Sequence, residues 1–98
     1  MRMQAVFNDH VIADSEDTVV VEGYHYFPES SLRQELFTRS EARSLCRWKG
    51  IAFYSSIDVD GVHGEDVAWT YPKPRRPARR IKGRYAFWRG VEVRPREG

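Results

Sequence analysis

A chain of 98 residues with 41% hydrophobic and 13% aromatic content is sized for one domain with one core and a shallow site, which excludes two lobes around a deep cleft and excludes a disordered segment despite 31% charge. Its single cysteine, Cys46, excludes an internal disulfide and a multi-cysteine zinc site, and no apolar run approaches the ~20 residues of a membrane helix. The net charge of +2 hides a division: residues 1–45 carry four Lys and Arg against eight Asp and Glu, and residues 46–98 carry twelve against six.

The elements follow in chain order. Gln4–Phe7 and His10–Ala13 read as strands around an Asn8-Asp9 turn. Thr18–Glu22 is β-branched and apolar, a strand expected to be buried on both faces, and Gly23 breaks it. Tyr24–Phe27 is extended, because Pro28 disfavours helix at Phe27. Ser31-Leu32-Arg33-Gln34 has the capping-box pattern, predicting a short helix to about Phe37; Thr38–Glu41 repeats it and reads as a second helical turn or an irregular loop. Ile51–Val59 is a long strand, Asp60-Gly61 a hairpin turn with Val62-His63 returning, and Asp66–Tyr71 a further strand. Pro72, Pro74 and Pro77 predict a loop with at most one helical turn near Ala78–Ile81. Tyr85–Trp88 and Val91–Val93 are the last strands around Arg89-Gly90, and residues 94–98 are a polar tail expected to fray beyond a core spanning about 4–93. Seven or eight short strands with one or two short helices predict a mainly β fold, as two small antiparallel sheets or a half-open roll.

All three Trp sit in aromatic-basic blocks: Cys46–Gly50, Ala68–Pro74 and Ile81–Val93. Trp69 and Tyr71, two apart in a strand, share one face, whereas Phe87 and Trp88 do not, so one of that pair belongs to the core. Residues 73–89 hold eight cations and no acid, a stretch that attracts phosphates, nucleic acid or acidic ligands, or pairs with the chain's own acidic half. Cys46 stands beside Arg43, Arg47 and Lys49, cations that favour a thiolate, and His25, between two tyrosines, is a candidate base at a pocket rim. The alternatives are a small buried thiol and a histidine holding a carbonyl. His10 and His63 lie at turns, and the three histidines with Cys46 have no metal-ligand spacing, so no metal or other cofactor is expected.

Taken in order, Thr18–Gly23, His25-Tyr26-Phe27-Pro28, Cys46-x-Trp48-Lys49-Gly50-x-Ala52-x-Tyr54, Ala68-Trp69-x-Tyr71-Pro72-x-Pro74, Ile81-Lys82-Gly83 and Ala86-Phe87-Trp88-x-Gly90-Val91-Glu92-Val93 resemble a family of small bacterial and fungal domains, domain-of-unknown-function family 427. The resemblance covers roughly residues 5–93 and implies a β-tent-like fold, similar to that of methionine sulfoxide reductase B. Relatives of that architecture hold zinc with paired cysteines, which this chain lacks. The nucleotidyltransferase-like label sometimes given to the family has no counterpart here, since no Gly-Ser with paired aspartates is present to place metal ions on a triphosphate. Arg47 replaces a common Pro, and Arg84 replaces a residue commonly apolar.

The residues therefore predict a cytoplasmic binding module for an anionic small ligand or an acidic protein partner, with nucleic acid a weaker candidate and no membrane partner. His25, Trp48, Lys49, Tyr54, Trp69, Tyr71 and Arg84 would surround the site. The alternatives are a small enzyme or redox protein using Cys46 as thiolate with His25 assisting, and an interaction domain using strand edges and the basic loop.

Overall fold

A computed structural model of the protein describes residues 1–96. Strand β1 (Met3–Phe7) turns through Asn8 and Asp9, both at positive φ of 51° and 61°, into β2 (His10–Ser15). Two consecutive left-handed residues give the turn whose twist matches paired strands, and Asn and Asp tolerate that conformation. On the other side of β1 lies β9 (Glu92–Pro95), so the first sheet has the order β2-β1-β9, all antiparallel. A second sheet has the order β5-β6-β7-β8, from β5 (Phe37–Cys46), β6 (Gly50–Val59), β7 (Val62–Thr70) and β8 (Tyr85–Phe87). Between them in sequence, β3 (Val19–Val21) and β4 (Tyr24–Tyr26) form a two-stranded ribbon. The amide and carbonyl of Phe27 exchange hydrogen bonds with Tyr85 at 2.7 and 2.8 Å, tying the ribbon to the edge of the second sheet. The fold is thus mainly β with small antiparallel sheets, and no helix among the described residues is long and apolar enough to cross a membrane.

Because side chains alternate along each strand, the four-stranded sheet has two differently committed faces. Ile57, Ala68 and Phe87 point toward the three-stranded sheet and join Met3, Ala5, Phe7, Ile12 and Phe27 in one core. Ala52, Trp69, Tyr71 and Ala86 point the other way and join Val21, Tyr26, Ala78 and Ile81 in a second core, closed by the ribbon and by a 3-10 segment over Arg76–Ile81.

Four expectations change. The helix expected over Ser31–Phe37 is two 3-10 turns, Glu29–Ser31 and Gln34–Leu36. The Ser31 hydroxyl donates to the Pro28 carbonyl (2.7 Å) instead of capping forward, and the Arg33 amide donates to Ile12 O (2.9 Å), so a distant strand takes the donor that a helix would use. Thr38–Glu41, expected as a helical turn or loop, lies inside β5, where a register shift between Arg39 and Arg43 absorbs it. The two strands expected over Val62–Tyr71 are one, β7, with the extra residues bulged at Asp66 (φ 49°), whose amide donates to the Ser56 hydroxyl (2.9 Å). Val19–Val21 is not buried on both faces: it belongs to an outlying ribbon, and Val20 is 49% exposed. At the end of the chain, β9 runs past Val93, with Arg94 opposite Gln4 and Pro95 opposite Met3, and the Arg96 amide donates to Arg2 O (2.9 Å); residues 97–98 of the expected tail lie outside the described residues.

Candidate functional site

The second core opens into a concavity of about 160 Å³ lined by Tyr24, Tyr26, Tyr54, Trp69, Tyr71 and Trp88, with Glu22 and Lys49 as its charged groups. Strand alternation supplies this wall. Tyr24 and Tyr26 share one face of β4, Tyr54 sits opposite Trp69 across β6 and β7, and Trp88 follows β8 with its indole nitrogen donating to Asp66 O (2.7 Å). Trp69 is the hub: Tyr24 and Trp88 meet it edge-on at 4.8 and 5.3 Å, and its indole N–H donates to the Tyr26 hydroxyl at 3.1 Å. Rings locked against one another this way give the slot a wall of fixed shape.

Lys49 forms the polar floor. Gly50, at φ +116°, passes so close to the proline loop that a side chain there would touch Lys73 O and Pro74, and this approach lets the Arg75 amide donate to the Lys49 carbonyl (2.8 Å). Fixed so, the Lys49 side chain is 7% exposed, its ammonium 4.8 Å from the Trp48 ring centroid and 5.8 Å from that of Tyr71. It donates to the carboxylate of Glu22, at the tip of the β3–β4 ribbon. Burial would push the ammonium down, but the hydrogen bonds to Glu22 and Cys46 outweigh it and hold Lys49 above the ordinary lysine value. The same hydrogen bond holds Glu22 below its ordinary range, and burial pushes the Tyr71 phenol up to about 12. Cys46 ends β5 beside this floor. Burial raises its pKa, and the backbone amides of Lys49 and Trp48 with the Lys49 ammonium reverse that, leaving the thiol below its ordinary value.

Of the residues singled out from sequence, Lys49, Tyr54, Trp69 and Tyr71 line the concavity, and Trp48 (40% exposed) covers the Lys49 ammonium from outside. His25 and Arg84 do not line it. His25 faces the other side of the ribbon, opposite Val20, with its Nδ1 2.9 Å from the Thr18 hydroxyl, so the groups beside the Cys46 thiol are Lys49 and Trp48. Arg84 instead donates to the Asp17 carbonyl (2.7 Å) and carboxylate (3.2 Å), and to Tyr26 O (3.5 Å), pairing the basic stretch with the acidic half. Glu22, Tyr24 and Tyr26 complete the site without having been singled out, together with Trp88, which the aromatic-basic blocks include but the expected site does not. The alternation of Tyr24 and Tyr26 about His25 was the available signal for the tyrosines; Glu22 had none, since its partner lies 27 residues away.

No curated protein matches the chain. A family model described as Domain of unknown function (DUF427) matches residues 1–95, and the family suggested by the aromatic-basic blocks is therefore shown: this chain belongs to the DUF427 family.

Proposed function

We propose that the protein is a binding module for a small planar ligand carrying one anionic group. The observation that carries this reading is a buried ammonium whose carboxylate partner is supplied from an exposed ribbon tip. Glu22 keeps 56% of its side chain in solvent while Lys49 keeps 7%. A carboxylate so placed is exchangeable at small desolvation cost, and the slot beside it is walled by six aromatic side chains. The ligand's anion would take the place of Glu22 on Lys49, and its ring would pack against Trp88 or Tyr54. Because Glu22 competes for the same ammonium, binding is an exchange of ion pairs, modest in strength and weakened by salt.

The test compares indole-3-carboxylate with indole by two-dimensional NMR of the backbone amides. The acid is expected to bind more tightly than the bare ring, to weaken as salt rises, and to bind more tightly to Glu22→Gln, which removes the competing charge. Equal affinity for both probes, or a Glu22→Gln protein with unchanged affinity, overturns the reading. A second reading, an enzyme or redox protein using Cys46 as thiolate, rests on the lowered thiol pKa beside Lys49. A Cys46→Ser protein that binds the acid as the parent does separates binding from that chemistry.

A further inference from the structure

The β-sheet face that packs on the three-stranded sheet at Ile57, Ala68 and Phe87 continues beyond that sheet's cover. There the paired strands present Arg43 opposite Phe53 and Leu45 opposite Ile51. Leu45 is 65% and Ile51 50% exposed, and together with Phe53 they floor a groove of about 390 Å³ rimmed by Pro72, Lys73 and Arg75. Further cations stand over the floor, the Arg39 and Arg43 guanidiniums lying 5.2 and 4.2 Å from the Phe53 ring centroid. Every charged residue lining the groove is positive. This site is on the opposite side of the sheet from the aromatic concavity and is independent of the function proposed for it.

We propose that this groove is a docking surface for an acidic segment of a partner protein carrying bulky apolar side chains. Charge complementarity selects the occupant. A second copy presenting the same face would set cations against cations, a juxtaposition that costs several kcal/mol in interfaces generally. A bilayer is flat, whereas the apolar floor here is recessed behind a proline-lysine-arginine rim. A nucleic-acid strand needs aromatic faces free for stacking, and the Phe53 ring already carries two guanidiniums. Aliphatic or aromatic side chains inserted over Leu45 and Ile51, with carboxylates reaching Lys73, Arg75 and Arg43, satisfy both the apolar floor and the charged rim.

The experiment uses the whole chain, isotope-labelled, titrated with a ten-residue probe peptide holding Leu-Phe-Leu between aspartates. Saturable shifts are expected at Leu45, Ile51, Phe53 and Lys73, weakening with salt. Leu45→Thr with Ile51→Thr changes two exposed, cross-strand positions to uncharged residues that strands accept, so folding is kept, and should weaken binding by about tenfold or more. Lys73→Glu with Arg75→Glu should lose the acidic peptide and gain its lysine-flanked counterpart, a switch that misfolding cannot produce. The proposal is overturned by equal binding of an all-aspartate peptide, by shifts confined to Arg76–Arg80, or by an oligothymidylate or phosphatidylglycerol vesicles occupying this face in preference to the peptide.

Discussion

Replacing Glu22 and replacing Lys49 abolish the same ion pair, yet they strand different groups. Glu22→Ala leaves an ammonium that is 7% exposed, beneath Trp48 and Tyr71, with no acid beside it. A hydrogen-bonding charge left unsatisfied in such a place costs about 1–3 kcal/mol; the value stays below the ~3–5 kcal/mol of a fully enclosed broken pair because the concavity admits water on one side. Both Glu and Ala carry a Cβ at the φ of +55° found at position 22, so the cost of the turn cancels. Lys49→Met does the reverse. It returns an already exposed carboxylate to water and places an unbranched thioether among aromatic rings, so the loss of about 2 kcal/mol of cation–π attraction is largely offset by the apolar burial of the new side chain. Thermal unfolding followed by tryptophan emission measures both, since Trp69 is buried in the native state. Glu22→Ala is expected to lower the melting temperature by about 5–15 °C and Lys49→Met by a few degrees at most. The double variant should resemble Lys49→Met alone, because without the ammonium the acid has nothing to satisfy. A Lys49→Met protein less stable than Glu22→Ala, or strict additivity of the two changes, would refute this assignment of the buried charge.

Other outcomes are equally specific. Gly64→Ala should destabilise by about 1–3 kcal/mol in chemical denaturation, because its new Cβ would meet Val67 Cγ1 at 3.0 Å and the Phe7 ring at 3.1 Å; an unchanged midpoint would contradict that packing. Trp69→Phe removes the donor to the Tyr26 hydroxyl and should cost about 1–3 kcal/mol while weakening binding of indole-3-carboxylate, read by denaturation and NMR titration. Asp14 and Glu22 are held below their ordinary values of 3.8 and 4.5 by hydrogen bonds from Arg2 and Lys49. Acids depressed by folding contribute stability that is complete above the unfolded pKa and lost as pH falls through the folded one, so the melting temperature should fall below about pH 4, less steeply in Asp14→Asn. Alkylation of Cys46 by iodoacetamide should show a midpoint below the ordinary 9.0, moving upward in Lys49→Met; a midpoint at or above 9.0 in the parent would remove the thiolate from consideration.

Much of the fold was legible because the signals that wrote it act over a few residues. Asn8-Asp9 and Asp60-Gly61 turn the chain where left-handed conformations are tolerated, and the alternation of Trp69, Thr70 and Tyr71 puts two aromatics on one face. Hence the mainly β class, both hairpins and four of the concavity's walls and floor residues could be read from sequence. The rest depended on partners far along the chain. Ser31–Phe37 carries local helix-starting chemistry, but Ile12 O takes the Arg33 amide and Ile57 pairs with Phe37, so the segment bends into 3-10 turns and a strand. Nothing near Val93 indicates that the last strand lies beside β1. His25 and Arg84 had suitable chemistry and were carried to other surfaces, by strand alternation and by pairing with Asp17. What the sequence alone determined was the inventory of turns, alternating strands and aromatic-basic blocks. Which charge met which acid was decided only by tertiary structure, because Glu22 finds Lys49 across 27 residues and no local rule reaches that far.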